Sequence, residues 1–337
     1  MSKTVIPEGY KMQLDYVETN KAIKFVKDTF QASLQEALNL TRVSAPLFVD
    51  VKTGLNDTLN GIEAPVEFSP KYVEGLDAQV VHSLAKWKRY TLGTHGFKEH
   101  TGLYTDMNAI RKDEELDNIH SLYVDQWDWE AVITKEDRTE TYLKKCVENI
   151  YTTILKVEHA VLIKYPFLVD SKLPETITFI TTQELLDMYP DLAPREREDA
   201  ICKKHGAVFL MKIGDLLTNG EVHDGRAPDY DDWTLNGDII VWNETLGRAY
   251  ELSSMGIRVS EESLATQLEK RGVSEMSTLP FHSAILGGEL PYTIGGGIGQ
   301  SRLCMYFLRK AHIGEVQSSI WDQETLEVCD KAGITLL

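Results

Sequence analysis

The stretch Leu122-Tyr-Val-Asp-Gln-Trp-Asp-Trp-Glu130 constrains the fold more than any other part of the chain. Successive side chains of a β-strand point to opposite faces. Gln126, Asp128 and Glu130 therefore share one face, and Trp127 and Trp129 share the other. The bulky face calls for a packed core beneath it. The polar face fits a strand that reads a ligand; a half-exposed strand with a solvated face is the plain alternative.

The neighbouring segments supply the layer that such a strand needs. Residues 20–39 place Ile23, Val26, Phe30, Leu34 and Leu38 at helical spacing, and residues 140–164 do the same with Leu143, Val147, Ile150, Ile154 and Val161. Leu40 to Val49 is β-rich but broken by Pro46, which points to an edge strand. Residues 83–92 read as helical, as do 183–189 and 194–205, the last opening on Pro194 in the first-turn position that proline favours. Strands follow at 207–213, 237–243 and 248–259, then a helix from a Ser260 cap to Gly272, a glycine-rich turn at 295–299 and a last helix over about 300–311. Runs of antiparallel strands between helices indicate an α+β fold, and the absence of a linker or repeat indicates one domain over residues 1–337.

Composition narrows the function. With 337 residues and 42% hydrophobic content the chain can bury a large core, while no stretch approaches the ~20 apolar residues of a membrane span. The opening residues hold no apolar signal core, and Cys146, Cys202, Cys304 and Cys329 lie far apart without a CxxC pair, so a reduced cytoplasmic protein is expected. A formal net charge of −17 repels phosphate backbones and argues against a nucleic-acid partner.

Three constellations carry chemistry. Arg111-Lys-Asp-Glu114 precedes the Gln126–Glu130 strand. Gly295-Gly-Gly-Ile-Gly-Gln-Ser-Arg302 sets glycines, which admit close backbone approach, before an arginine able to meet phosphate bidentately. Asp238 and Glu251, on neighbouring strands, are a carboxylate pair of the kind that holds Mg²⁺ beside substrate phosphates. A flexible turn and surface charge are the plain alternatives.

Together these runs resemble the signature motifs of class II aminoacyl-tRNA synthetases, in their aspartate branch. Arg111 and Glu114 look like the second motif, and Gly297 to Arg302 like the third. Gln126-Trp-Asp128-Trp-Glu130 resembles the strand that reads aspartate. His82-Ser83-Leu-Ala-Lys-Trp-Lys88 resembles a segment whose lysine contacts a carboxylate, although that segment's Pro and Gln are absent here. Glu251 to Arg258 resembles the glycine-rich strand ending in a carboxylate-reading arginine. The runs VVHSLAKWKR, GLYTDM, RAPDYDDW, LNGD, ELSSMGIRV and TIGGGIGQSR are closer still to the ammonia-dependent asparagine synthetase family, over nearly the whole chain.

That resemblance implies a class II synthetase catalytic core, an antiparallel sheet flanked by helices, in a homodimer with about residues 18–50 at its interface. It implies L-aspartate, ammonia and ATP as substrates and no nucleic-acid or membrane partner. Arg111 would bridge the reacting carboxylate and the α-phosphate. Arg302 would hold the γ-phosphate, with Glu114 near the adenine, Gly297 and Gly299 along the nucleotide, and Asp238 and Glu251 on Mg²⁺. Asp57, Ser83, Lys88, Gln126, Asp128, Arg226, Asp231, Ser254 and Arg258 would surround aspartate. Because the β-carboxylate must be activated here, aspartate is expected to lie inverted relative to the tRNA synthetases, its α-carboxylate on Lys88 and Arg258. Asp57, with Asp231 second, is the carboxylate expected both to bind ammonium and to take its proton.

Two other readings make different demands. A free-standing aspartyl- or asparaginyl-tRNA synthetase would carry an anticodon-binding domain before its core, where only a short stretch precedes the first helix. An inactive paralogue would have lost some of Arg111, Glu114, Asp238, Glu251 or Arg302, and all are present. Glutamine as nitrogen donor would need a nucleophilic cysteine near the start, and no Cys precedes Cys146.

Overall fold

The computed structural model describes residues 3–59, 63–168 and 173–337. Its centre is an eight-stranded sheet. One edge is β1 (Leu40–Arg42), followed by β5 (Gly102–Ile110), β6 (Tyr123–Val132), β11 (Thr293–Gly299), β10 (Arg248–Arg258), β9 (Asp231–Asn243), β8 (Ala207–Met211) and finally β7 (Thr178–Thr181). The six middle strands run antiparallel, and each edge strand joins by a parallel pairing. A small sheet of β2 (Phe48–Asp50), β4 (Ala78–Val80) and β3 (Glu67–Phe68) stands apart.

Helices α1 (Tyr16–Leu38), α3 (Glu140–Lys164) and α8 (Gln300–Phe307) cover one face. Phe30 of α1 meets Trp127 of β6 with ring centroids 4.7 Å apart, and Trp129, Ile154, Tyr250 and Leu303 complete the core there. Burying one such side chain contributes about 1.5–3 kcal/mol, so the tryptophan face decides which way β6 lies. The opposite face of β6 is left for the polar residues. Near it lie α2 (Ala85–Thr94), α6 (Glu261–Arg271) and α7 (Pro280–Leu286). Helices α4 (Thr182–Met188) and α5 (Pro194–His205) pack beside β7 to β10, and α9 (Gln323–Lys331) ends the fold.

Several sequence expectations shift. The first helix begins at Tyr16, because the Asp15 carboxylate accepts from Glu18 N and caps it. Pro46 divides the β-rich stretch into two strands of different sheets. The strand expected from residue 237 already starts at Asp231, as β9. The glycine run is a central strand rather than a turn, and its helix stops at Phe307 and is not the last.

Candidate active site

The bare strand explains the site. A Cβ on Gly295 would lie 2.3 Å from Glu130 Oε2, and one on Gly297 would lie 2.3 Å from Gln126 Oε1. Side chains from β6 and β10 therefore cross over β11 where ordinary residues would block them. The result is a cavity of about 370 Å³ over the polar face of β6.

One end of this cavity is an ion network. Arg258 donates to both carboxylate oxygens of Glu130, from Nε at 3.0 and 3.1 Å and from Nη2 at 2.8 Å. Its Nη1 pairs with Asp231, and Thr293 Oγ1 donates to Glu130 at 2.7 Å. Lys88 pairs with Asp128 and lies 3.7 Å from Glu130, with the Trp129 carbonyl 2.9 Å away. All of these groups are buried. Burial raises the Glu130 carboxyl, but Arg258 and Lys88 more than offset it and hold it below its usual range. Burial pushes Asp231 up against the pull of Arg258 and Arg226, and it pushes the Lys88 ammonium down. Two cations face three carboxylates, which leaves room for one more positive group such as a substrate ammonium.

The wall opposite is built by three segments. Ser83 Oγ donates to Asp57 Oδ2 at 2.8 Å, Leu59 N to Asp57 Oδ1 at 2.8 Å, and Leu84 N to Asp128 Oδ2 at 3.0 Å. Behind them Lys86 Nζ and His282 Nε2 both reach Asp229 Oδ2, at 2.6 and 2.9 Å. This buried cluster ties α2, the 224–230 loop and α7 together, and the Lys86 charge with the His282 hydrogen bond holds the Asp229 carboxyl down to about 2 against burial.

The other end is rich in arginine. Arg302 lies 3.2 Å from Glu251, Arg111 lies 3.9 Å from Glu114, and Arg226 pairs with Asp238. An irregularity of register between Glu251 and Ser253 lets Glu251 and Ser254, three residues apart, face the same cavity. Burial, with Glu251 and Asp224 nearby, pushes the Asp238 carboxyl up to about 7 despite Arg226. Arg302, Arg226 and Arg111 hold the partly exposed Glu251 below its usual range, more than offsetting its partial desolvation. Nε of Arg111 and Nε of Arg226 are buried without a partner among the described residues. Such unpaired donors suit an anionic ligand.

Of the expected site residues, Asp57, Ser83, Arg111, Glu114, Gln126, Asp128, Arg226, Asp231, Glu251, Ser254, Arg258, Gly297, Gly299 and Arg302 line this one cavity. Lys88 and Asp238 do not: Lys88 sits behind Asp128, and Asp238 is held by Arg226. Sequence reasoning missed Asp125 and Tyr230, which also line it. Asp125 shares the tryptophan face of β6, where an acidic residue signals a buried pairing; Lys27 of α1 supplies it at 2.9 Å, and Ser301 N donates to the same carboxylate at 3.0 Å.

Known proteins resemble the chain over most of its length. The model of the aspartate-ammonia ligase family matches residues 17–333. An aspartate–ammonia ligase of Clostridium tetani is 59% identical over 99% of this chain and 98% of its own. One from Limosilactobacillus fermentum is 58% identical over 99% of both. Among solved structures, the asparaginyl-tRNA synthetase of Entamoeba histolytica in complex with asparaginyl-adenylate matches with a TM-score of 0.63 at 14% identity, over 89% of this chain and 66% of that one. The asparaginyl-tRNA synthetase of Pyrococcus horikoshii complexed with asparaginyl-adenylate gives a TM-score of 0.61 at 15% identity, over 88% and 67%. These two likenesses show the class II synthetase fold.

Proposed function

The chain belongs to the aspartate–ammonia ligase family, and on that premise we propose how it makes asparagine from aspartate, ammonia and ATP through a β-aspartyl adenylate. The observation that carries the proposal is the joining of two ends in one cavity: Arg111 and Arg302 at one, the Arg258–Glu130–Asp231 network at the other.

A carboxylate is a poor electrophile because its leaving group would be oxide. In the first step a β-carboxylate oxygen attacks the α-phosphorus of ATP and pyrophosphate departs. Arg111 bridges the two reacting groups, Arg302 holds the γ-phosphate, Glu114 meets the adenine, and the backbone at Gly297 and Gly299 runs along the nucleotide. Positioning and charge stabilisation supply most of the rate in such a transfer. Asp238 and Glu251 offer the carboxylates that Mg²⁺ takes beside phosphate oxygens, where the ion would neutralise developing charge. Both are engaged by arginines, so metal binding entails their release.

At the other end the aspartate lies inverted, its α-carboxylate toward Arg258 with Lys88 behind Asp128, its ammonium among Asp128 and Asp231. Ser83, Gln126, Arg226 and Ser254 complete its surroundings. In the second step ammonia attacks the carbonyl carbon of the activated β-carboxyl, the C–O bond to AMP breaks, and asparagine and AMP leave. Asp57 attracts the ammonium, with Asp231 the second candidate. The chain works as one catalytic unit over residues 1–337, paired as a homodimer through about residues 18–50, without nucleic acid and in the cytoplasm. No helix of the described residues is long and apolar enough to cross a membrane.

Purified protein given aspartate, ammonium, ATP and Mg²⁺ forms asparagine, AMP and pyrophosphate in equal amounts on this reading. Formation of ADP and phosphate instead, or a requirement for glutamine, overturns it.

A further inference from the structure

We propose that His82 is a catalytic base, taking the proton that bound ammonium must lose before its nitrogen attacks the adenylate. The proposal rests on the adenylate reading above.

His82 lines the cavity beside Asp57. Its Nδ1 lies 3.1 Å from the backbone oxygen of Asp57. A carbonyl oxygen only accepts, so Nδ1 carries the hydrogen, and in the neutral ring Nε2 is left with a lone pair. That Nε2 is buried and meets no partner among the described residues. A buried acceptor without a donor is uncommon in a folded protein, and an N–H of ammonium is a donor of the right kind.

The ring and the Asp57 carboxylate are fixed as a pair. The Asn56 side-chain oxygen accepts from the backbone N–H of both, each at 2.9 Å. Asp57 spends its two oxygens on Leu59 N and Ser83 Oγ, so its part is to attract a cation. Imidazoles are ordinarily stronger bases than carboxylates by about 2–3 pH units, which makes the ring the better proton acceptor of the two. Burial keeps the ring neutral; Asp57 and Glu63 pull toward the charged form, Arg111 pushes against it, and Asp113 stands within its field.

The step balances. Ammonium gives one proton to Nε2, and the freed nitrogen lone pair forms the C–N bond. The C–O bond to AMP breaks, with its electron pair leaving on the phosphate oxygen. The new C–NH₃⁺ loses its extra proton to water, and the imidazolium returns its own to solvent.

The test uses His82→Asn, which keeps a donor toward the Asp57 carbonyl but removes the base, with His82→Ala beside it. Asparagine synthesis is compared with aspartate-dependent ATP–pyrophosphate exchange measured without ammonia. The ratio of synthesis to exchange should fall ~10²–10⁴-fold, the usual contribution of a general base. The loss should appear in kcat rather than in the KM for ammonium, and should shrink as pH rises and neutral ammonia accumulates. Hydroxylamine, already neutral at pH 7, should form aspartyl hydroxamate in the variants at close to the wild-type ratio to exchange. A parallel fall of synthesis and exchange, or of hydroxamate and asparagine, overturns the role of His82. Absence of exchange in the wild-type protein overturns the adenylate reading instead.

Discussion

Arg302 and Glu251 are partners at one end of the cavity: Nη1 lies 3.2 Å from the carboxylate and 3.1 Å from the backbone oxygen of the same residue. The cation proposed for the nucleotide and a carboxylate proposed for its metal thus neutralise each other before ATP arrives. The glutamate side chain is 43% exposed, so losing its partner leaves it in reach of water. Arg302→Ala and Arg111→Ala should therefore fold normally yet lose ~10²–10³-fold in ATP–pyrophosphate exchange. Near-wild-type exchange in either variant would put the nucleotide elsewhere.

On the proposed division of roles Asp57 attracts the ammonium and His82 takes its proton. Asp57→Asn should raise the KM for ammonium, with a smaller effect on exchange, and added ammonium should restore much of the rate. If ammonium does not help and the aspartate KM rises instead, Asp57 binds the amino acid and Asp231 becomes the ammonium group.

Lys88→Met tests the inverted aspartate. Lys88 neutralises Asp128 and Glu130 from behind, so its loss should cost about 3–5 kcal/mol of stability as a broken buried pair. In protein that still folds, the binding constant for aspartate should worsen more than that for ATP. A complex with the side-chain amide of asparagine against Arg258 and Lys88 would refute the inversion.

One oxygen of Asp229 meets both the buried Lys86 ammonium and Nε2 of the buried His282 ring. Asp229→Ala strands both and should cost about 3–5 kcal/mol in urea unfolding. Loss of less than ~1 kcal/mol would mean that the cluster does not hold the wall together.

His312 gives a pH signature of its own. It is buried, with Gly314 N donating to Nδ1 at 3.0 Å, and burial pushes it down to about 4. Between about 4 and the ordinary value near 6.5 the unfolded chain holds a proton that the folded one lacks. Stability is full above that window and falls as pH drops through it, by up to about 3 kcal/mol. His312→Gln should flatten this slope in chemical unfolding between pH 4 and 6.5; an unchanged slope would assign it to other groups.

What the sequence revealed was local. Helix α3 spans the expected residues, opened by the Thr139 cap, and α5 begins at Pro194 as expected. Ser260 and Gly272 bracket α6 because each satisfies the helix end by its own chemistry. The glycine run misled because a strand without side chains has no periodicity to read, its space being filled from Gln126, Glu130 and Met255 on other strands. The site residues were legible as motifs along the chain. The burial of Lys88 behind Asp128 and the pairing of Asp238 with Arg226 were not, since each depends on groups brought together from separate strands and loops.

The glycines of β11 carry a consequence for how such a site can diverge. A floor made of backbone has no side chain to exchange, and Gly295 and Gly297 tolerate none. Its shape is set by backbone alone, while the side chains that read a ligand stand around it, on β6, β9 and β10 and between Asp57 and Lys88. Preference for a different acid, or for the same acid turned end over end, can then evolve by editing the margins, with the distance between the activated carboxyl and the nucleotide kept constant throughout.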